Sequence, residues 1–381
     1  MATQGPILVL TASAGAGHLI AAEALAHELR AQAPGVAVEV LDVLSISNVV
    51  FRRLYAGGYL GLVRHAPAAM GWLYDAMDRP NGYIQNSVRI WIQNFNKLPT
   101  VRFVLQRRPR LILNTHYLPA EIVGQMRRAG QFECPQVTIT TDYETHRIWV
   151  QSPTERYYTA TEDGKAYLVT AGVRPEQVLV TGIPVRPGFD AELGVNAARQ
   201  RCGLDAGRPV VLLLCGGFGV GPIGELLHEL MHMPTDAQVV VIAGRNEALR
   251  ARLAEQAQAG PPRVRVVGFT DKMHEWMQAA DVVVTKPGGL TVAEALACGL
   301  PLVIVNPIPG QETRNSDYLL EHGAAIKVNN PRLLGYRVGK LLADTARLRG
   351  LQHAARAIAR PHAARDIVAD ALRLLPVPHA V

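Results

Sequence analysis

Asp281-Val-Val-Val-Thr-Lys-Pro-Gly-Gly-Leu-Thr-Val-Ala-Glu-Ala-Leu-Ala-Cys-Gly-Leu-Pro301 is the stretch of sequence that decides the fold. A short apolar run leads into two glycines, and a segment of helical composition follows, which we expect to begin near Leu290 or Thr291. Short apolar strands that alternate with helices are typical of parallel sheets covered on both faces. The stretch therefore predicts an α/β protein.

The same alternation extends outward through most of the chain. Apolar runs of strand length lie at 7–10, 36–43, 111–114, 137–141, 210–214, 239–243, 264–267, 282–285 and 302–305. With 381 residues and a Pro/Gly-rich joint at 182–188, the chain predicts two Rossmann-like domains facing across a cleft. We expect them at 1–185, with a helical insertion at 49–108, and at 186–353, followed by a C-terminal helix (354–381) that packs back toward the first domain.

The composition narrows the class of protein. A net charge of +7 suits an acidic membrane surface, a nucleic acid or a phosphorylated small molecule, but the basic residues are dispersed and argue against nucleic acid. Four scattered cysteines without a C-x-x-C pair fit a reducing compartment. The sequence has no signal-peptide pattern and no apolar stretch of about 20 residues, so we expect a soluble or peripheral protein. The aromatic and basic segment 49–108 suits either a membrane interface or a helical insertion packed on the first domain.

The glycine turn at 288–289 predicts a phosphate site. Glycines let the backbone approach a ligand closely, and the N–H groups of the following helix favour an anion such as a diphosphate. Glu294, one turn into that helix, suits the hydroxyls of a ribose. The alternative is an ordinary turn with a solvated Glu294. Gly216-Gly-Phe-Gly219 repeats the turn in the same domain, and Gln311-Glu312 suits either sugar hydroxyls or a polar helix start.

Three side chains of the first domain are candidates for acid–base chemistry. Gly15-Ala-Gly-His18 follows a strand, but Ile20 is too bulky for the third glycine of a dinucleotide fingerprint, so a nicotinamide cofactor is disfavoured. The position of His18 suits either a general base or a residue that caps a helix. Asp142 and His146 follow a buried strand, where they orient an acceptor or a catalytic group, or form a structural pair.

Metal chemistry finds little support in the sequence. His228-Glu-Leu-Met-His232 matches the H-E-x-x-H helix of zinc proteases, but Pro234 ends the helix and no third ligand stands at a familiar spacing, so we interpret the match as chance. No D-x-D sequence occurs to hold a metal–diphosphate complex. We therefore expect no metal and no cofactor beyond a donor substrate.

These motifs resemble the family of bacterial processive diacylglycerol glucosyltransferases and plant-type monogalactosyldiacylglycerol synthases, which is related to the peptidoglycan glycosyltransferase that forms lipid II. The resemblance covers nearly the whole chain. Its most specific parts are the 281–301 block and Pro307-Ile-Pro-Gly-Gln-Glu312, supported by Gly244-Arg-Asn246, the 268–273 motif, Thr141-Asp142, His146 and Trp149. The sequence differs from the family at one turn: where the family has three glycines in a row, this chain has Ala14-Gly-Ala-Gly-His18.

The resemblance implies a GT-B fold and an inverting, metal-independent transfer of a hexose from a UDP-sugar to diacylglycerol. It implies His18 as the base, and Asp142 and His146, from their place after a buried strand, are our further catalytic candidates. The donor-site residues that we predict are Gly217, Phe218, Arg245, Phe269, Thr270, Met273, Gly288, Gly289, Leu290, Thr291, Glu294, Gln311 and Glu312. It also implies peripheral binding to an anionic membrane, at its cytoplasmic face, through the first domain. Two other functions fit the same pocket: a UDP-sugar epimerase, and a non-catalytic nucleotide-sugar-binding or membrane-scaffolding protein.

Overall fold

A computed structural model describes residues 5–13, 15–48, 97–216, 222–261 and 263–375. The chain divides into two compact units, which we describe separately. The first comprises Met1–Arg186, Pro309–Gln311 and His362–Val381. The second comprises Pro187–Ile308 and Glu312–Pro361. Most of the predicted insertion at 49–108 lies outside the described residues.

The first unit is built on six described strands in one parallel sheet, with the order β2-β1-β3-β4-β5-β6. The strands are β1 (Ile7–Thr11), β2 (Val38–Asp42), β3 (Leu111–Asn114), β4 (Gln136–Ile139), β5 (Arg156–Thr159) and β6 (Val178–Val180). The helices are α1 (Ala16–Gln32), α2 (Leu98–Arg107), α3 (Tyr117–Arg128) and α4 (Glu162–Thr170), with short 3-10 turns at Arg147–Trp149 and Pro175–Gln177.

The second unit repeats the plan with the strand order β12-β11-β10-β7-β8-β9, again parallel. Its strands are β7 (Val210–Leu214), β8 (Gln238–Ile242), β9 (Val264–Val267), β10 (Val282–Thr285), β11 (Leu302–Val305) and β12 (Ala325–Val328). Its helices are α5 (Val195–Cys202), α6 (Ile223–Met231), α7 (Glu247–Gln258), α8 (Met273–Ala279), α9 (Gly289–Ala297), α10 (Gln311–Glu321), α11 (Leu334–Ala343) and α12 (Thr345–Ile358), with a 3-10 turn at Pro331–Leu333.

The sequence pattern explains these layers. Strands such as β1, β3, β7 and β10 are buried along their whole length, as expected of strands covered on both faces. Helix α1 buries one apolar stripe against the first sheet, formed by Ala22, Leu25, Ala26 and Leu29. No helix in the described part of the chain is both long and apolar enough to cross a membrane.

The end of the chain is divided differently from the predicted 353/354 boundary. Helix α12 runs through that boundary, contacts α9 and belongs to the second unit. The return to the first unit comes at His362, and α13 (Ala363–Ala371), followed by a 3-10 turn at Leu372–Leu374, packs on α1. The Asp370 carboxylate accepts a hydrogen bond from Tyr158 Oη at 2.9 Å. The spacing of apolar residues in α12 predicts a helix but does not indicate which of the two units the helix packs on.

The strand order of each sheet contains one switch point. There, two strands are neighbours, but the chain continues from one of them toward one edge of the sheet and from the other toward the opposite edge. In the first unit it lies between β1 and β3, and in the second between β7 and β10. Ligands of open parallel sheets bind at the carboxyl ends of the strands at such points. The residues that follow these four strands are therefore the first place to look for a site.

Candidate active site

His18 lies at the switch point of the first unit, as the third residue of α1. Its ring Nδ1 is 3.0 Å from the Thr115 carbonyl oxygen and 2.8 Å from Thr141 Oγ1. A carbonyl oxygen only accepts hydrogen bonds, so Nδ1 carries the proton and donates it. In the neutral ring, Nε2 then holds a lone pair, as a general base requires.

The surroundings of His18 keep its ring neutral. Burial lowers the pKa of His18 to about 4, although the hydrogen bond to the Thr115 carbonyl acts in the opposite direction. The ring packs edge-on against His116 at 4.6 Å between centroids and lies 6.2 Å from the Trp149 ring. The backbone is fixed as well, since Thr115 Oγ1 donates to the His18 carbonyl at 2.9 Å. His18 is therefore held in one orientation and one tautomer.

His116 and Thr115 belong to this site, but the sequence patterns did not select them. His116 is buried, and its Nδ1 accepts the Leu118 N–H at 3.1 Å, which caps α3. Burial, reinforced by the neighbouring His18, lowers the pKa of His116 well below its usual range. Both residues directly follow β3, so their signal was the end of a predicted strand. Only the strand order, with β3 beside β1, brings them to His18.

Asp142 and His146 follow β4, as predicted. Asp142 is 4% exposed and hydrogen bonds the Trp149 side chain; burial raises the pKa of its carboxyl group to about 6. His146 is buried, and its Nδ1 accepts the Ile148 N–H at 3.1 Å, which caps the 3-10 turn Arg147–Trp149. One ring nitrogen of His146 thus has a structural use, and a direct role in catalysis stays a prediction for both residues.

The switch point of the second unit presents backbone rather than a titratable side chain. Helix α9 begins at Gly289, and its N-cap, Gly288, has extended backbone angles and provides no side-chain cap. The first N–H groups of a helix have no partner within the helix, so those of Gly289, Leu290 and Thr291 face the carboxyl edge of the sheet. Such a helix end favours a diphosphate.

The backbone conformation at Gly288 does not require a glycine. Its φ of −66° is open to any residue, and among the described residues an added Cβ would meet nothing nearer than Glu312 Oε1 at 3.9 Å. The turn is held from behind, because Asn315 Nδ2 donates to the Pro287 carbonyl at 3.0 Å. The absence of a side chain at 288 therefore leaves open space in front of α9.

Polar side chains surround this turn. Glu312 Oε2 accepts the Ile308 N–H at 2.7 Å, and burial raises the pKa of its carboxyl group while nearby Lys286 opposes the shift. Glu294, on α9, is 5% exposed. Its side chain is therefore not solvated, in contrast to the alternative of an ordinary turn with a solvated Glu294. Gln311 opens α10 and is grouped with the first unit, where its amide Nε2 is a hydrogen-bond partner of Asp142.

The loops after β8 and β9 bring two predicted donor-site residues together. The Arg245 guanidinium lies 4.5 Å from the centroid of the Phe269 ring, which is 56% exposed. Thr270 Oγ1 accepts the Lys272 N–H at 3.0 Å, in the turn that leads into α8 at Met273. An exposed aromatic face beside a cation suits a flat, anionic ligand. Gly217 and Phe218, predicted in the loop after β7, lie outside the described residues.

The H-E-x-x-H match lies on α6 and beyond its end. The His228 and His232 rings are exposed, with 4.3 Å between their centroids. Among the residues that the structure describes, no group of three or more His, Cys, Asp or Glu side chains is arranged to hold a metal ion. Within the described residues the pair thus has no third protein ligand of a catalytic zinc site.

Two family models match the chain, one on each half. Residues 18–185 match the monogalactosyldiacylglycerol (MGDG) synthase model, and residues 211–370 match the glycosyltransferase family 28 C-terminal domain. A curated relative, the processive diacylglycerol beta-glucosyltransferase of Bacillus pumilus, is 30% identical over 97% of this chain and 95% of its own length.

Solved structures are similar over the same length. MurG of Acinetobacter baumannii matches with a TM-score of 0.63 and 16% identity, covering 97% of this chain and 99% of that one. HepE of Anabaena, solved with UDP, matches with a TM-score of 0.56 and 17% identity, over 97% and 99%. Together with the two parallel sheets, these likenesses confirm the predicted GT-B fold.

Proposed function

The chain belongs to the diacylglycerol glycosyltransferase family that includes the processive diacylglycerol beta-glucosyltransferases, and on that premise we propose that it moves a hexose from a UDP-sugar to diacylglycerol, with inversion and without a metal. It is a glycosyltransferase of this family. The donor, the stereochemistry and the residues that act are the parts of the proposal that go further.

One observation carries the proposal: the hydrogen bond from His18 Nδ1–H to the Thr115 carbonyl oxygen. It leaves the Nε2 lone pair of a neutral imidazole for an acceptor hydroxyl. A pKa of about 4 keeps that lone pair available throughout the neutral range. In this proposal, Asp142 and His146 support the acceptor side of the site rather than take the proton.

The second unit supplies the donor site in this proposal, with the exception of Gln311. The N–H groups of Gly289, Leu290 and Thr291 receive the diphosphate, and the open space at Gly288 lets it approach. Glu294 accepts hydrogen bonds from the ribose hydroxyls, and Gln311 and Glu312 bind the sugar. Gly217 and Phe218, which follow β7, contribute to the diphosphate site in the same proposal, and the loops after β8 and β9 hold the uracil through Arg245, Phe269, Thr270 and Met273.

The reaction then follows from these roles. The acceptor hydroxyl gives its proton to His18 Nε2, and its oxygen bonds to the anomeric carbon from the face opposite the diphosphate. The bond from that carbon to the diphosphate oxygen breaks, and UDP leaves with the electron pair. The N-terminal end of α9, with Lys286 nearby, stabilises the departing charge in the place of a metal.

A membrane surface is the expected place of the acceptor, and α2 supports binding by the first unit. Leu98, Arg102 and Leu105 are exposed at a spacing that puts them on one side of this helix. Apolar and cationic side chains on one helix face suit an anionic bilayer. We therefore propose a peripheral position at the cytoplasmic face of the membrane.

The test is product identification with the purified protein. Labelled UDP-glucose, UDP-galactose and UDP-N-acetylglucosamine are each offered with vesicles that contain dioleoylglycerol, with and without EDTA. We expect UDP release and a β-linked glycolipid from one donor, unchanged by EDTA. Conversion of the donor without lipid would identify an epimerase, and donor binding without any transfer would identify a non-catalytic protein; either would refute the proposal.

A further inference from the structure

Helix α11 of the second unit exposes a face that contributes little to its own fold. Leu333, directly before the helix, and Tyr336 are 47% and 58% exposed. With Arg337 and Lys340 they follow a spacing of three, four and seven residues, which is one side of a helix. We call Arg332, Leu333, Tyr336, Arg337 and Lys340 the α11 face.

The opposite side of α11 is fixed against α6, so the α11 face cannot turn inward. A Cβ at Gly335 would fall 2.2 Å from the Glu229 carbonyl oxygen, and one at Gly339 would fall 2.9 Å from Pro234 Cδ. Leu334, Val338 and Leu341 are buried in the core of the second unit. The exposure of Tyr336 is therefore a consequence of close helix packing.

The sequence around the α11 face carries positive charge only. Residues 322–343 contain Lys327, Arg332, Arg337 and Lys340 but no Asp or Glu. Among the described residues, none of the three cations of the α11 face takes part in an ion pair. A tyrosine and a leucine between unpaired cations match the chemistry of an anionic phospholipid surface, where headgroups meet the acyl chains.

We propose that the α11 face is a docking surface for an anionic phospholipid membrane, in addition to the surface proposed on the first unit. The inference rests on the proposed function only in that a lipid acceptor requires a membrane. Its consequence is that the unit carrying the donor site contacts the bilayer through its own residues, with Tyr336 and Leu333 at the interface and the three cations at the headgroups.

The first experiment measures partition onto vesicles by sedimentation. Vesicles of phosphatidylglycerol and phosphatidylcholine, without diacylglycerol or sugar nucleotide, are mixed with the full chain. We expect Lys340→Glu to weaken partition about 25-fold, since each unit of charge near an anionic surface contributes about a factor of five and this substitution changes the charge by two units. The matched control is Arg252→Glu on α7, an exposed cation outside the face, which we expect to leave partition close to that of the parent.

The second experiment reports on the α11 face itself. Tyr336→Cys carries an environment-sensitive fluorophore in a Cys298→Ser background, and Glu255→Cys on α7 is the labelled control. We expect a blue shift at position 336 on vesicles with phosphatidylglycerol and none at 255. Sedimentation of the protein with unchanged emission at 336 would overturn the proposal, as would a shift that follows protein concentration without vesicles, which would indicate a second copy. No step requires catalysis, so failure of the proposed function would leave this result intact.

Discussion

The two switch points of the molecule differ in the groups that they present: one presents a side chain and the other presents backbone. At β1 and β3 the site is a side chain, His18, held by a carbonyl, a hydroxyl and two aromatic rings. At β7 and β10 it is the backbone at the start of α9, behind a glycine that leaves space. A proton acceptor needs a titratable group with a controlled pKa, whereas a diphosphate needs fixed dipoles and close approach. The same sheet plan thus suits two different chemistries.

The largest expected effect comes from removing the side chain of the first switch point. We predict that His18→Ala lowers the turnover number about 10²–10⁴-fold, the usual contribution of a general base. Glycolipid formation at saturating donor and acceptor is the measurement. His27, exposed on the same helix, provides the matched control, and His27→Ala should keep parental turnover. Similar turnover in both variants would refute the role of His18.

Filling the space at the second switch point should act on binding. We predict that Gly288→Val raises the KM for the UDP-sugar about 10–100-fold, because its side chain occupies the path of the diphosphate. The thermal midpoint should barely change, since φ at 288 suits any residue and the nearest atom of the described residues is 3.9 Å from an added Cβ. Gly216→Val is the contrasting case: φ there is +69°, so it should lose stability. An unchanged KM for Gly288→Val would place the diphosphate elsewhere.

A smaller effect is expected from the hydroxyl that contacts His18. We predict that Thr141→Val lowers turnover about 5–10-fold, about the value of one hydrogen bond, with an unchanged KM for the donor. Thr141→Ser should restore most of the rate. The adjacent Thr140 is also buried, but its hydroxyl has no hydrogen-bond partner in the part of the chain that the structure describes, so Thr140→Val is the matched control and should be neutral. Equal losses in both valine variants would contradict a positioning role for Thr141.

The pH dependence of stability should distinguish His18 from Asp142. The pKa of His18 is lower in the folded state, so its contribution to stability is present above about pH 6.5 and is lost as pH falls toward 4. The pKa of Asp142 is raised to about 6, so stability falls as pH rises from about 4 to 6. These opposing contributions partly cancel in the parent protein.

Comparing the parent with a variant that lacks His18 should therefore isolate the contribution of His18, because the contribution of Asp142 is common to both proteins. We predict that the free energy of unfolding of the parent, minus that of His18→Ala, grows by about 1–3 kcal/mol between pH 4 and 6.5. Urea denaturation of both proteins across that range is the measurement. The same difference taken with His27→Ala should be flat. A flat difference with His18→Ala would mean that burial does not perturb the ring.

Most of the fold was predictable because buried parallel strands have a clear signature. The run 111–114 coincides with β3, and 210–214 coincides with β7. The strands β5, β6 and β12 were not predicted. Arg156-Tyr-Tyr-Thr159 is not uniformly apolar, 178–180 has three residues, and Lys327 interrupts 325–328. β6 and β12 lie at sheet edges, where burial imposes less on the sequence.

The site was less predictable than the fold. His18, Gly288 and Gly289 stand in local motifs, so a pattern within a few residues finds them. Thr115 and His116 come to His18 from 97 and 98 positions away in sequence, through the pairing of β1 with β3. Nothing in a local pattern encodes that pairing. The His18 tautomer likewise depends on a backbone carbonyl, which carries no side-chain signature.

The central claim is that the first unit supplies the base and the second unit supplies the donor site. The most direct measurement is the dissociation constant of the UDP-sugar for His18→Ala and Gly288→Val, by calorimetry, on the proteins used for turnover. We predict that His18→Ala binds the donor as tightly as the parent does but transfers almost no sugar, whereas Gly288→Val binds it about 10–100-fold more weakly. Loss of donor affinity in His18→Ala, or parental affinity in Gly288→Val, would contradict this division.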